Sequence, residues 1–215
     1  MGRIWFKRVF DLIMVILLAP LWLPLFLVIA LLVRIKLGSP VLFRQERPGL
    51  HEEIFELVKF RTMTAQRDAG GKLLPDAARL TPFSGWLRST SLDELPELIN
   101  VLRGEMSLVG PRPLLVQYLP RYNAQQRRRH EVPPGLTGWA QVKGRNTLSW
   151  EEKFALDVWY VENHHFWLDL QILAFTVFQV ATRSGISAPG DATMPEFSPT
   201  GISKEVVPDR GKGPS

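Results

Sequence analysis

The chain has 215 residues, enough for one moderate core with appendages, and its lack of cysteine excludes a disulfide framework, a thiol nucleophile and a cysteine-based zinc site. Its four histidines, His51, His130, His164 and His165, form no His-Glu-x-x-His pattern, so a histidine metal centre is not expected. A formal charge of +5 and a pI near 9.7 ask for an anionic partner, whether nucleic acid, anionic lipid or a phosphorylated substrate, without choosing among them.

Hydrophobic residues make up 46% of the chain, and the excess lies near the N-terminus. Leu12 to Val33 contains no charged residue, which makes it a membrane candidate by length. It runs into Arg34 and Lys36 with no small-residue cleavage site, so it stays with the protein. Pro20 and Pro24 sit near its middle; each lacks an amide hydrogen and clashes with the carbonyl four residues back, favouring a sharp bend. The arms Val9 to Ala19 and Pro24 to Arg34 would each be about 16 Å long at roughly 1.5 Å per residue, half of a hydrocarbon core roughly 30 Å thick. Arg3, Lys7 and Arg8 precede the segment and Arg34, Lys36 and Arg44 follow it, and basic residues favour the cytoplasmic side. We therefore expect a re-entrant hairpin with both ends cytoplasmic, in preference to a Pro-kinked spanning helix.

Next, Val41 to Gln45 and Ile54 to Phe60 read as two strands around a Pro48-Gly49 turn. Thr64 to Leu80 is polar and reads as a loop, and Thr81-Pro82 as an N-cap followed by proline in the first helical position, with Phe83, Trp86 and Leu87 on one helix face. Leu95, Leu98, Ile99 and Leu102 mark another helix, closed by Gly104. Val109 to Pro113 is a stiff Gly/Pro loop, Pro120 to His130 a basic helix, and Trp139 to Val142 a short strand. Ser149 and Glu152 form a capping box for a helix running to about Asn163. Trp167 to Ala181 is too short and too interrupted to span, and reads as an interfacial or a core helix. Ser187 to Ser215, rich in Pro, Gly and Ser, reads as a mobile tail.

The chemistry centres on Ser91-Leu92-Asp93-Glu94-Leu95-Pro96-Glu97-Leu98. One reading is a second capping box, Ser91 to Glu94, or a pair of solvated acids near a helix dipole. Pro96 argues for a helix that begins there instead, leaving Asp93 and Glu94 in the turn before it. Around the pair stand Lys59 and Arg61 after a strand, Arg88 before the acids, Arg112 between two prolines and Arg145 after Gly144. Any one of these is ordinarily a solvated charge. Val109-Gly110-Pro111-Arg112-Pro113, however, stiffens the backbone and aims a guanidinium suited to bidentate phosphate binding. Two carboxylates among several cations is an arrangement that can hold Mg²⁺ and a diphosphate together.

These segments, from KRVFD at Lys7 through GSPVLFRQERPG, FELVKFRTM, LRSTSLDELPELINVLRGEMSLVGPRPL, RRRHEVPPGLTGWAQVKGRN and SWEEKFALDVWYV, resemble the bacterial sugar transferases, the small monotopic phosphoglycosyl transferases. The resemblance implies an α+β, mostly helical protein: a re-entrant membrane hairpin over residues 1–37, a cytosolic catalytic domain with a small β-hairpin and interfacial amphipathic helices over 38–186, and a tail over 187–215. It implies transfer of a sugar 1-phosphate from a UDP-sugar to undecaprenyl phosphate with release of UMP, at the cytoplasmic face of the bacterial inner membrane. Asp93 would be the nucleophile, Asp93 and Glu94 would hold Mg²⁺ or manage protons, and Lys59, Arg88, Arg112 and Arg145 would bind phosphates. Trp5, Trp22 and the Trp167 helix would anchor the protein among membrane lipids. The stretch Asp191 to Phe197 is similar to a tail motif of members that use UDP-diacetylbacillosamine, although an ordinary tail would read the same. No nucleic acid is expected, and the oligomeric state is left open, a homodimer being one option. The contrasting reading, a membrane-tethered basic protein without catalysis, would rest on Arg127-Arg128-Arg129 and leaves the acid pair and the rigid Pro-Arg-Pro without a purpose.

Overall fold

The computed structural model describes residues 2–144, 147–182 and 196–197. Helix α1, Gly2–Leu17, and helix α2, Ala19–Leu37, are separated at Leu18. The break falls just ahead of Pro20, which sits in the first turn of α2 where a missing amide hydrogen is harmless, while Pro24 is carried inside the helix. A single break therefore replaces the two expected. Among the last carbonyls of α1, that of Val15 accepts a 2.9 Å hydrogen bond from the Trp22 indole of α2, a side-chain substitute for a helical partner.

Charged residues of α1 fasten it to the rest of the molecule. Lys7 Nζ lies 2.5 Å from Asp169, Arg8 donates to the carbonyls of Val101 and Leu102, and Asp11 accepts from Ser107 Oγ at 2.7 Å and from the Leu108 amide at 3.3 Å. Helix α2 is 19 residues of sufficient length and apolarity to cross a membrane. One stripe of it, Phe26, Ile29, Val33 and Leu37, packs on Phe60 and Leu87, while Leu21, Leu27, Leu31 and Ile35 are exposed.

Strands β1, Leu42–Pro48, and β2, Ile54–Phe60, form an antiparallel hairpin with Leu42 opposite Phe60 and Pro48 opposite Ile54. The segment expected to be loop contains one short helix, α3, Asp76–Arg79. Helix α4, Pro82–Ser89, starts as the sequence predicts, with Thr81 Oγ1 accepting from the Ser84 amide. Helix α5, Glu97–Arg103, ends on Gly104 at φ 89°, and Arg8 caps its C-terminal carbonyls. Strand β3, Ser107–Val109, leads into the Pro111–Pro113 loop.

Two expectations fail here. The basic helix over Pro120 to His130 is broken into a 3-10 segment at Val116–Arg121, a short α6 at Ala124–Arg127 and a 3-10 turn at Arg128–His130, because Asn123 and Gln126 form a capping box that starts a new helix. The strand is not at Trp139 to Val142. It is β4, Gly135–Thr137, parallel to β3, and Trp139–Lys143 is helix α7. A four-residue stretch such as Trp-Ala-Gln-Val fits either period, and the glycines before it decide: only they let two backbones meet. Helix α8, Trp150–Asn163, has its Ser149–Glu152 capping box. Helix α9, Phe166–Thr182, buries Leu168, Asp169 and Ile172 and exposes Trp167, Phe175, Val177 and Phe178, so it is core on one face and apolar surface on the other.

Among the described residues the fold is thus mostly helical with two small sheets, and its main core gathers Val15, Leu57, Leu98, Val101, Met106, Val109, Tyr160 and Ile172. The tail expected to be mobile returns at residues 196 and 197. Phe197 is buried among Tyr118, Tyr122, Trp150 and Phe154, and Glu196 pairs with Arg121 at 3.0 Å. The remainder of the Asp191 to Phe197 stretch lies outside the described residues.

Candidate active site

After α4, the chain turns at Ser91, whose backbone lies in the left-handed region at φ 56° and ψ 17°. A non-glycine residue held there carries on the order of 1–2 kcal/mol of strain. The turn throws Leu92–Glu94 into a single 3-10 turn, and Pro96 stands at the start of α5. Asp93 and Glu94 therefore occupy the turn before the helix, as the position of Pro96 predicts. The alternative capping box is absent: Ser91 makes no side-chain cap, and Glu94 points elsewhere. From α5, Asn100 docks the turn on the hairpin, with Oδ1 accepting from the Val58 amide at 3.0 Å and Nδ2 donating to the Glu56 carbonyl at 2.7 Å. This amide substitutes for a neighbouring strand beside Lys59.

Glu94 is fully committed. Lys59 Nζ donates to its Oε1 at 2.9 Å, and Arg112 grips both oxygens, Nη2 on Oε1 and Nη1 on Oε2. Lys59 also lies 2.9 Å from Glu97 Oε1, though its direction suits a hydrogen bond only to Glu94. Asp93, half-buried alongside, makes no hydrogen bond or ion pair with any described residue. The two acids consequently titrate far apart. Burial, with the adjacent Glu94 charge, pushes Asp93 up to about 6 against the pull of Lys59, Arg112 and Arg88. Burial acts on Glu94 in the same sense, but Arg112 and Lys59 together outweigh it and hold that carboxyl well below the usual range. Glu97 is pushed up to about 7 by burial and by Glu94. Such separation of neighbouring carboxyls ordinarily marks different chemical roles.

Arg112 is aimed by backbone contact. A Cβ added to Gly135 would lie 2.0 Å from the Gly110 nitrogen, and one on Gly138 would lie 2.2 Å from the Gly110 carbonyl oxygen, so β3 and β4 approach as only glycines permit. Arg129 Nη2 then donates to the Arg112 carbonyl at 2.7 Å while the same guanidinium pairs with Asp157 at 2.7 Å. Arg129 is 3% exposed, so this member of the arginine run is a buried strut and not a solvated charge. Arg88 Nε donates to Thr62 Oγ1 at 3.0 Å, leaving the outer guanidinium nitrogens uncommitted among the described residues. Arg61 is elsewhere, donating to the carbonyls of Leu37 and Ser39 at the end of α2.

The structure thus brings together Lys59, Arg88, Asp93, Glu94 and Arg112, whereas Arg145 lies outside the described residues. Lys59 is engaged with two acids, while Arg88 and Arg112 face a cavity of about 820 Å³ that Glu94 and Arg47 also line. Sequence reasoning missed Glu97, which sits one helical turn after Asp93 and was visible in the acidic spacing. It also missed Arg47, and it missed Asn100 and the Arg129–Asp157 pair, whose partners lie too far along the chain to leave a local signal. For Mg²⁺ the donor set is two adjacent carboxylates, with no cluster of three or more potential ligands among the described residues. That suits an ion that ordinarily keeps its waters and takes one or two carboxylates plus substrate phosphates. Asp93 offers oxygens uncommitted among the described residues, and Glu94 would share its own with Lys59 and Arg112.

Comparison with known proteins supplies the context for this site. A family model described as bacterial sugar transferase matches residues 2–183. A Bacillus subtilis protein named as an uncharacterized sugar transferase is 54% identical over 195 residues, covering 91% of this chain and 96% of that relative. A UDP-glucose:undecaprenyl-phosphate glucose-1-phosphate transferase of Caulobacter vibrioides is 39% identical over 191 residues, 82% of this chain and 70% of its own. An undecaprenyl-phosphate glucose phosphotransferase of Komagataeibacter xylinus is 39% identical over 189 residues, 80% of this chain, and the chain spans only 35% of its length.

Proposed function

The chain belongs to the bacterial sugar transferase family, and from that premise we propose that it transfers a sugar 1-phosphate from a UDP-sugar to undecaprenyl phosphate, with Asp93 as nucleophile. One observation carries the assignment: of two adjacent carboxylates, Glu94 is locked by two cations and Asp93 has no hydrogen-bond or ion-pair partner among the described residues. An Asp93 oxygen would attack the phosphorus that bears the sugar, and the bond from that phosphorus to the UMP oxygen would break, UMP leaving with the electron pair. An oxygen of the acceptor phosphate would then attack the same phosphorus, restoring the Asp93 carboxylate and giving the lipid-diphosphate sugar.

The other residues supply charge and position. Arg112, oriented by Glu94 and Arg129, and Arg88, with its outer nitrogens uncommitted, would neutralise phosphate oxygens as charge builds. Lys59 holds Glu94 and Glu97 in place at one remove from the substrate. Mg²⁺, held by Asp93 or Glu94 together with the diphosphate, would offset the donor's negative charge.

Membrane association enters this reading through the N-terminal helices. Both rest on one body: Lys7, Arg8 and Asp11 of α1 are fastened to α5, β3 and α9, and Ile29 and Val33 of α2 to Phe60 and Leu87. The chain between buried Val15 and buried Ile29 is only about 21 Å of helix at roughly 1.5 Å per residue. That is short of a hydrocarbon core roughly 30 Å thick, which supports a shallow re-entrant hairpin with both ends on the cytoplasmic side. The exposed apolar faces of α2 and α9 suit membrane lipids.

The donor sugar has two readings. The tail favours an acetamido sugar such as diacetylbacillosamine, and the names of the Caulobacter and Komagataeibacter relatives favour glucose. A panel of UDP-sugars assayed for UMP release decides between them. Asp93→Asn should abolish UMP release while the variant stays folded, unfolding no lower than wild type. Incubation of active wild type with labelled donor alone should leave an acyl phosphate at Asp93; recovery of none would overturn the mechanism.

A further inference from the structure

The cavity beside Glu94 has a chemically mixed lining. Arg88 and Arg112 bring charge, Gln141 and Lys153 are among its other polar groups, and an aliphatic portion is built from Leu98, Leu108 and Leu136 together with Leu173, Val177 and Val180 of α9. The α9 contribution recurs at the i, i+4, i+7 spacing of a single helix stripe. Thr176 lies in the same stripe, and its hydroxyl is already engaged with Thr137 at 2.7 Å and with the Ile172 carbonyl at 2.8 Å. No unsatisfied polar group is offered by α9 on that side. Val177 is 70% exposed and Val180 42%, and the neighbouring Phe175 and Phe178 are exposed too, so the aliphatic wall runs outward onto the apolar surface of the molecule.

From this geometry we infer that the α9 wall is the slot for the first isoprene units of the acceptor lipid, with Leu173, Val177 and Val180 as residues that select its chain. The inference rests on the transferase reading above and adds where the hydrocarbon lies. Charge complementarity identifies the occupant: arginines in one cavity with an aliphatic stripe fit an amphiphile with a phosphate head and an alkenyl tail. Against the α9 stripe itself a nucleoside or a sugar fits poorly, because its hydroxyls and amides would be desolvated against leucine and valine. Gln141, unpaired among the described residues in the same cavity, offers such groups a place away from that stripe. Entry from the membrane also follows from the wall's continuity with the exposed face of α9.

The test separates the two half-reactions. Val177→Trp, at an exposed position, places an indole across the mouth of the slot without disturbing the core, and Val177→Leu serves as the conservative variant. The expected result for Val177→Trp is a single-turnover burst of UMP from UDP-sugar equal to wild type, with the KM for undecaprenyl phosphate raised at least tenfold. A water-soluble ten-carbon prenyl phosphate, assayed without membranes, should show the same loss, and Val177→Leu should behave as wild type with both acceptors. An unchanged acceptor KM would overturn the inference, as would equal loss of the UMP burst, which would assign the wall to the donor. Loss confined to the membrane-borne acceptor would also overturn it, since that would mark a surface effect and not a slot. Failure of the transferase reading itself is distinct: wild type would then give no UMP burst.

Discussion

The buried guanidinium of Arg129 donates a 2.7 Å hydrogen bond to the backbone carbonyl of Arg112 while its Nε and Nη2 also pair with Asp157. One arginine thereby fixes the main chain from which another reaches the acid turn. Because the Arg129–Asp157 pair is buried, removing one partner strands the other's charge. Asp157→Ala should therefore destabilise the protein by about 3–5 kcal/mol. Thermal unfolding in detergent checks this. In whatever fraction remains folded, the KM for the UDP-sugar should rise because Arg112 is no longer held.

The Asp93 carboxyl, raised to about 6, must be ionised to attack. UMP release in single turnover should accordingly increase with pH through a midpoint near 6 and level off above it. The Glu94 charge is the second contributor to that elevation after burial. Glu94→Gln should slow the reaction and move the midpoint to lower pH, a displacement that loss of folding alone would not give.

Glu97 titrates near 7 in the fold against an ordinary value of 4.5, so its protonated form is the one the folded state favours. Its contribution to stability is fully present below the ordinary value and is lost as pH rises through about 7; Asp93 acts in the same sense at lower pH. The unfolding temperature of wild type should fall between pH 5 and 8. Glu97→Gln should fall less over the same range, which differential scanning measurements at matched ionic strength would show.

Gly135 and Gly110 meet with no room for a side chain. Gly135→Ala requires β4 to move away from β3, an overpacking that typically costs 1–3 kcal/mol and here falls on two backbones, so a loss of about 3 kcal/mol or more is expected. Since the same contact aims Arg112, residual activity should fall further than the folded fraction does, and quantifying both on one preparation checks it.

Much of the site was legible in the residues. Pro96 told where α5 starts and so where Asp93 and Glu94 stand, and Pro111 and Pro113 marked Arg112 as held. Both work locally, since proline constrains its own backbone and that of its neighbour. Lys7, Arg8 and Asp11 stood out as a motif, but nothing nearby told that they bind α9, α5 and β3, respectively. The β4 strand was misplaced because a parallel pair is joined by a long connection, and the glycines that allow it have no periodicity to read.

By itself the sequence determined a bend in the N-terminal apolar segment, the acid turn, the Ser149–Glu152 capping box and the family, because proline, glycine and capping chemistry act within a few residues; the bend itself fell at Leu18, just ahead of the prolines that signalled it. Only the tertiary structure decided which acid is held. Lys59 and Arg112 come from opposite sides, 35 and 18 residues away, to hold Glu94 and leave Asp93 without a partner among the described residues. Ion pairs of that separation are chosen by packing, and no local pattern encodes them.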